Sequence, residues 1–184
     1  MESRPVLYVV VSGAAPALEL PALISALTDG WDTCVITTPD GARFFDLARV
    51  TEVTGHPVRT SFKDPDAPDV LPPASAFAAA PATFNTINKW AAGISDTLAL
   101  GLLNEATGLG LPIVTVPWPN AALARHPAFG RSVATLRGCG ITVIFDPAHL
   151  PDDEAPGQAE FPWADLRAEL ARMRTALGGG HAPA

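Results

Sequence analysis

The stretch "VLYVVVSGAAPALELPALISAL", residues 6–27, contains the unit that decides the fold. It begins with an uninterrupted run of mainly β-branched residues, 6–11, which is typical of a strand that is covered on both faces. The loop 12–16 consists of small residues, and the apolar residues after it recur at helical spacing. Pro21 falls within that pattern and favours a helix that begins near residue 20. The sequence therefore predicts a strand, a tight loop and a helix in immediate succession.

The same alternation of strand and helix continues along the chain. We predict further strands at 32–38, near 56–60, and at 74–80, 111–117 and 140–146. We predict further helices after Pro39 (with Phe44, Phe45 and Leu47), and at 85–107, 120–137 and 163–177. Strands that alternate with helices form right-handed βαβ units, and such units build a mostly parallel sheet. The predicted fold class is therefore α/β.

The composition favours a single domain. The chain has 184 residues, of which 48% are apolar and 17% are charged. This length suits one domain, and so low a charge content predicts a surface that other subunits partly cover. We assign residues 1–150 to that domain, and residues 151–184 to a linker, a C-terminal helix and a frayed tail.

The charge and the cysteines argue against several classes of function. The net charge is -7 and the Lys and Arg residues are scattered, so no nucleic-acid partner is predicted. Cys34 and Cys139 lack metal-type spacing, so no metal site is predicted, and both thiols are expected in the core of a cytoplasmic protein. The run 6–11 is too short for a signal peptide, and no stretch reaches the ~18 apolar residues of a membrane helix.

Small residues and hydroxyls follow the first two predicted strands. In an open parallel sheet, ligands bind beyond the carboxyl ends of the strands. Gly13 and Ala14 let backbone N–H groups approach an anion at the positive end of a helix, and Thr37 and Thr38 can add hydroxyls. The alternative is an ordinary tight turn after the first strand and simple N-capping ahead of Pro39.

The segment "PATFNT", residues 81–86, is richer in polar groups than a helix entrance requires. Thr83, Asn85 and Thr86 are each able to cap the following helix. Capping needs one such residue rather than three, so a bound ligand accounts better for the surplus.

Asn120 follows the next strand, after the rigid sequence "VPWP". One interpretation is a fixed strand-to-helix turn in which Asn120 caps the helix. The other is that the turn aims the Asn120 amide at a substrate. The two interpretations are compatible.

The same residues resemble the motifs of the flavin-dependent cysteine decarboxylase family. The helix entrance of that family reads approximately P-A-S-A-N-T-x-A-K-x-A-x-G-x-x-D, and the matching residues here are Pro81, Ala82, Asn85, Thr86, Lys89, Ala91, Gly93 and Asp96. Thr83 stands for the Ser, and Phe84 departs from the small residue. A second family segment, P-A-M-N-x-x-M-W-x-H-P, is similar to "PWPNAALARHP" at Pro117, Asn120, His126 and Pro127. The resemblance covers roughly residues 5–130.

This resemblance implies a fold, a cofactor and an assembly. The family has a Rossmann-like three-layer sandwich and forms trimers or multiples of trimers, with FMN at the interface between subunits. The residues that would hold FMN here are Gly13, Ala14, Thr37, Thr38, Thr83, Asn85 and Thr86. Asn120 would bind the carboxylate of a cysteine-type substrate, either a small molecule or a peptide, whose thiol the flavin oxidises before decarboxylation.

The chain departs from the family pattern at the chemical residues. The family's catalytic His would lie near Ala67, but no His occurs between His56 and His126. His56 is the candidate base, and the alternative is a histidine of a surface loop. The family's Gly-rich clamp with a reducing Cys has no match, and the acidic segment 146–163 stands in its place.

Three hypotheses follow for the function. The first is an FMN-dependent cysteine decarboxylase, or a related oxidoreductase, with a displaced base; the retained Asn120 favours it. The second is an FMN-binding protein with altered or lost chemistry in a regulatory or assembly role; the missing His favours it. The third is a phosphate-binding domain for another nucleotide.

Overall fold

Five parallel strands form the central sheet of the computed structural model, which describes residues 4–151 and 159–179. The spatial order of the strands is β2-β1-β3-β4-β5, and each neighbouring pair is parallel. The strands are β1 (Val6–Val11), β2 (Asp32–Thr37), β3 (Ala76–Ala82), β4 (Ile113–Pro117) and β5 (Thr142–Val143). The predicted α/β class with a parallel sheet is confirmed.

Helices cover both faces of the sheet and give three layers. They are α1 (Leu20–Leu27), α2 (Leu47–Thr54), α3 (Phe84–Ala91), α4 (Leu98–Gly108), α5 (Ala121–Ala124), α6 (Pro127–Gly138) and α7 (Trp163–Gly179). Helices α1, α2 and α7 bury their apolar residues against one face, and α3, α4 and α6 against the other. Short 3-10 turns lie at Ala15–Glu19, Gly41–Arg43 and Pro147–His149.

Strand β1 shows why a continuous apolar run predicts a central strand. Leu7 and Val9 pack in the cluster under α1 and α7, whereas Val10 packs in the cluster under α3 and α4. All three are essentially inaccessible to solvent. Because burial of one such side chain contributes about 1.5–3 kcal/mol, both faces of this strand require apolar residues.

Two helices that the sequence analysis predicted as continuous are each broken, so those predictions were wrong. The predicted helix 85–107 is interrupted after α3, because Gly93 adopts a left-handed φ of 71° and Thr97 caps a new helix by accepting from the Leu100 N–H at 3.2 Å. The predicted helix 120–137 is interrupted before Pro127, which lacks the N–H that a continuous helix would need there.

Other predicted bounds were too generous. The residues after Pro39 form only a 3-10 turn, and α2 begins where the Asp46 carboxylate accepts from two backbone N–H groups. The predicted strand 56–60 is a single bridge between Ile36 and Arg59. Residues 152–158 of the predicted linker and 180–184 of the predicted tail lie outside the described residues.

The helices of the described part of the chain include none with the length and apolar character that crossing a membrane requires.

Candidate functional site

The loops that follow β1 and β2 pack against each other at the carboxyl edge of the sheet. A Cβ added to Gly13 would lie 2.9 Å from the Asp40 Cβ and 3.1 Å from the Asp40 carbonyl carbon. A Cβ added to Gly41 would lie 2.7 Å from the Val11 carbonyl oxygen and would also collide with the Thr37 hydroxyl. Both positions therefore require glycine. Gly41 was not among the predicted site residues, although a glycine two residues after Pro39 is a signal of a close backbone approach.

A chain of hydroxyls joins the end of β1 to the start of α3. The Ser12 and Thr86 hydroxyl oxygens are 2.8 Å apart, and those of Thr86 and Thr83 are 3.0 Å apart. Ser12 and Thr86 are buried, and Thr83 caps α3 by accepting from the Thr86 N–H at 3.4 Å. Two of the three polar residues predicted to meet a ligand thus hold the site together. Ser12, their partner, was missed.

Thr37 and Thr38 also differ in whether their hydroxyl groups remain available to a ligand. The Thr37 hydroxyl is buried and lies 3.1 Å from the carbonyl oxygens of Val11 and Thr38, so its single proton is committed. The Thr38 hydroxyl accepts from the Gly41 N–H at 3.1 Å and keeps its own proton. Thr37 therefore positions the loop, while Thr38 can still donate to a ligand.

Of the remaining predicted residues, Gly13 and Asn85 present unused donors at the same edge, and Ala14 does not. The Gly13 N–H has no acceptor among the described residues, whereas the Ala14 N–H donates to the Ser12 carbonyl at 2.9 Å. Asn85 is exposed in the first turn of α3 and makes no side-chain hydrogen bond to another described residue.

Asn120 both caps α5 and keeps its amide N–H₂ available. Its Oδ1 accepts from the Leu123 N–H at 2.8 Å, while its Nδ2 has no acceptor among the described residues. The two interpretations of the sequence therefore hold at the same time, because each uses a different end of the amide. Donors from the ends of four strands meet along one edge, and neutral donors of this kind suit phosphate and carboxylate groups.

His56 lies at the opposite edge of the sheet. Its Nε2 is 2.7 Å from the Asp32 Oδ1. Asp32 begins β2 and Thr37 ends it, so about 17 Å of strand separates the two edges. The structure does not bring His56 together with the other candidates.

His126 lies at the carboxyl edge instead. Its ring meets the ring of Phe84, the first residue of α3, edge-on at a centroid distance of 5.7 Å. Its Nδ1 accepts from the Ala128 N–H at 3.1 Å, so the neutral ring carries its proton on Nε2 and acts as a donor. His126 was predicted only as part of a motif, although its position six residues after Asn120 places it near the same end of the sheet.

The two cysteines have different environments. Cys34 is fully buried in β2, and burial, with a smaller effect of Asp32, raises the pKa of its thiol to about 12. A thiol with that pKa stays protonated and is a poor nucleophile at neutral pH. Cys139 is exposed at the C-terminus of α6, so the prediction that both thiols lie in the core was wrong for Cys139.

The sequence pattern described as Flavoprotein matches residues 1–173. The chain belongs to the Flavoprotein family. It is 32% identical over 142 residues to the phosphopantothenoylcysteine decarboxylase of Mus musculus, and the match covers 73% of this chain and 69% of the relative. The resemblance to flavin-dependent cysteine decarboxylases is thereby confirmed.

Solved structures of this Flavoprotein type share the fold. The cypemycin decarboxylase CypD superposes with a TM-score of 0.72 at 22% identity, over 98% of this chain and 97% of that one. SpaF, described as an FMN-dependent cysteine decarboxylase, superposes with a TM-score of 0.67 at 25% identity, over 92% of this chain and 97% of that one. The Rossmann-like three-layer sandwich is confirmed.

Proposed function

We propose that this flavoprotein binds FMN at the carboxyl edge and oxidises the thiol of a cysteine-type substrate, as a decarboxylase or a related oxidoreductase. The observation that carries the proposal is the row of unused donors at this edge: the Gly13 N–H, the Thr38 hydroxyl and the amides of Asn85 and Asn120. Membership of the Flavoprotein family supports a flavin as the ligand of these donors.

The residues at this edge fit the phosphate and ribityl groups of FMN. The Gly13 N–H is a free donor, and the small side chains of Gly13 and Ala14 leave the backbone accessible. In this proposal Gly13, Ala14, Thr38 and Asn85 contact FMN, while Thr37, Thr83 and Thr86 hold their loops in place. When bound, FMN supplies the chemistry of two-electron oxidation of a thiol.

Asn120 is the proposed carboxylate-binding residue. Its Nδ2 donates to the substrate carboxylate, while its Oδ1 stays bonded to the Leu123 N–H. Two-electron oxidation of the cysteine Cβ–SH unit, with bound FMN as the electron acceptor and the two protons passing to FMN and solvent, would give a thioaldehyde. Its C=S group would then accept the electron pair of the breaking Cα–carboxylate bond, which would release carbon dioxide and leave an enethiolate.

One observation favours a second candidate function, an FMN-binding protein with altered or lost chemistry. His56 is held by Asp32 at the amino edge, and the neutral ring of His126 presents an N–H rather than a lone pair. Neither His56 nor His126 is arranged to take the thiol proton in the neutral form. The role would then be regulatory or structural within an assembly.

The visible absorption spectrum of the purified protein tests these candidates. We expect flavin bands, and we expect N-acetylcysteine or a peptide that ends in cysteine to bleach them without oxygen, with release of carbon dioxide. Flavin bands that no such thiol bleaches would favour the second candidate. A colourless protein whose melting temperature does not respond to FMN would contradict both, because a hundredfold excess over Kd should add about 2.7 kcal/mol of stability.

We also propose a homo-oligomer, a trimer or a multiple of trimers, in the cytoplasm. The proposal is supported by the 17% charge content and by exposed apolar side chains, namely Leu18, Phe62, Val70, Ile94, Leu109 and Leu123. Two free cysteines suit a reducing compartment. Light scattering at micromolar concentration should return at least three times the chain mass, and a monomer mass would contradict the oligomer.

A further inference from the structure

A cavity lies on the face of the sheet that α3, α4 and α6 cover, between α4 and the segment 59–74 that leads into β3. We call it the α4 cavity. Its volume is about 880 Å³, which is within the roughly 300–1,000 Å³ of small-molecule sites. Its floor consists of Tyr8, Ile36 and Phe77, which are buried residues of β1, β2 and β3. The described lining residues include none of those proposed to contact FMN or the substrate.

The segment 59–74 is fixed in place as one wall of the α4 cavity. The Tyr8 hydroxyl donates to the Pro72 carbonyl at 2.8 Å, which ties the segment to β1. The Phe62 ring lies against α4 at Gly101, where an added Cβ would be 3.4 Å from two of the ring carbons. A ligand can therefore enter without first ordering this wall, which lowers the cost of binding.

The lining of the α4 cavity is rich in exposed apolar side chains. Of the six large apolar side chains that the described chain exposes, three belong to this lining: Phe62, Val70 and Leu109, which are 59%, 49% and 68% exposed. Exposed apolar side chains that gather at one place mark a surface that a ligand or a partner covers.

Arg59 adds a positive charge to this apolar lining. Its guanidinium donates one hydrogen bond, from Nη2 to the Ser61 carbonyl at 3.1 Å, and it forms no ion pair with a residue of the described ranges. Its backbone is fixed at the edge of β2, because its N–H donates to the Val35 carbonyl at 3.0 Å and its carbonyl accepts from the Thr37 N–H at 2.8 Å. Most of the guanidinium N–H groups thus remain available on a fixed base.

The other charged residues of the lining indicate how much negative charge a ligand can carry. Lys63 pairs with Asp69 at 3.0 Å, so the charges of these two residues compensate each other. Glu105 is exposed on α4 and makes the described lining neutral overall. A single carboxylate can pair with Arg59, whereas a phosphate, with about -1.5 to -2 charges, would leave excess negative charge beside apolar walls.

We propose that the α4 cavity binds an apolar monocarboxylate of the medium-chain fatty acid type. The carboxylate pairs with Arg59, and the hydrocarbon chain lies against α4 and the floor of the cavity. The planar guanidinium orients the carboxylate, and burial of the chain supplies most of the affinity. This site is separate from the proposed FMN site, so the proposal does not depend on the proposed function.

Calorimetric titration of the purified protein with octanoate, hexanoate and octan-1-ol tests the proposal. One buried CH₂ group contributes about 0.8 kcal/mol, which is about fourfold in Kd. Octanoate should therefore bind at least tenfold more tightly than hexanoate. It should also bind at least tenfold more tightly than octan-1-ol, which has the same chain length and no charge. Equal affinities of octanoate and octan-1-ol, or no binding of octanoate at millimolar concentration, would overturn the proposal.

A pair of matched variants tests the role of Arg59. Arg59→Gln should weaken octanoate binding at least tenfold and leave the affinity for octan-1-ol unchanged. Arg131→Gln makes the same change of net charge at an exposed position of α6 and should leave both affinities unchanged. An equal loss of octanoate affinity in the two variants would show a long-range charge effect and would overturn the assignment of Arg59.

A bulkier wall tests whether the chain lies in the cavity. Leu102 is a half-buried lining residue of α4, and Leu102→Trp should weaken the binding of octanoate and of octan-1-ol at least tenfold. The melting temperature shows whether this variant remains folded. A folded Leu102→Trp protein that binds octanoate as well as the parent would place the ligand elsewhere and overturn the cavity assignment.

A second copy of this chain is the competing occupant, because Phe62, Val70 and Leu109 are also among the side chains that support an oligomer. Light scattering separates the two occupants. Octanoate binding by the parent at its full assembled mass supports the proposal. A parent assembly that binds no octanoate, together with a smaller assembly of the Phe62→Ser variant, would identify the cavity as an interface between copies and overturn the proposal. The titration needs no FMN, so failure of the proposed FMN site would leave this test intact.

Discussion

Gly13→Val is expected to weaken FMN binding at least a hundredfold. The Cβ of any substituted residue would lie 2.9 Å from the Asp40 Cβ and 3.1 Å from the Asp40 carbonyl carbon, so the two loops must separate. The branched side chain would also cover the free Gly13 N–H. A hydrogen bond to a charged group contributes about 1.5–3 kcal/mol, so losing this one alone accounts for about a 10- to 150-fold change, and the separation of the two loops adds to it.

The measurement is the Kd for FMN, followed by flavin fluorescence, together with the flavin content after dialysis. Gly130→Ala is the control, because a Cβ at Gly130 in α6 meets no atom within 4 Å. That variant should keep full FMN affinity and gain about 0.5–1 kcal/mol of stability. Gly13→Ala should lie between Gly13→Val and the parent. Unchanged FMN affinity in a folded Gly13→Val protein would show that the loop after β1 does not belong to the FMN site.

The strands were predictable because burial on both faces leaves a local signature. Alternate residues of Val6–Val11 pack on opposite faces, so that run carries apolar side chains on both faces, and Cys34, Val35 and Ile36 do the same at the centre of β2. The helix interruptions near Gly93 and Pro127 were misread because apolar spacing continues across each break. The signals that mark the breaks, a glycine followed by Thr97 and a His-Pro pair, are local but weaker than the periodicity.

Parts of the site depend on pairs that are distant in the sequence. Ser12 and Thr86 are separated by 74 positions and meet only because β1 and β3 are neighbours in the sheet. No local pattern reveals that the Thr86 hydroxyl is already bonded to Ser12, so Thr86 was predicted to be available to a ligand. His56 was misleading for the same reason, since its position depends on pairing with Asp32 at the opposite edge.

Asn120→Asp is expected to impair substrate binding far more than Asn120→Ala does. The Asp variant should nevertheless be the more stable of the two proteins. The Asp carboxylate can still accept from the Leu123 N–H, and Asn and Asp are equally good helix caps. Alanine removes the cap and should cost about 1 kcal/mol of stability. A thermal melt should therefore rank the Asp variant close to the parent and the Ala variant below it.

The two variants should rank in the opposite order by substrate affinity, because substrate binding depends on Nδ2 of the Asn120 amide rather than on Oδ1. Alanine removes one donor to a carboxylate, which costs about 1.5–3 kcal/mol. Aspartate removes the same donor and adds a like charge, whose repulsion at about 4 Å adds about 1–4 kcal/mol. The Kd for acetyl-Phe-Leu-Ser, a peptide that keeps the terminal carboxylate but has no thiol to oxidise, should then rise at least a hundredfold with Asp and less with Ala, while FMN content stays unchanged. An Asp variant that binds this peptide as well as the parent would leave Asn120 as a helix cap alone, and the FMN-binding role without decarboxylation would become the better account of the chain.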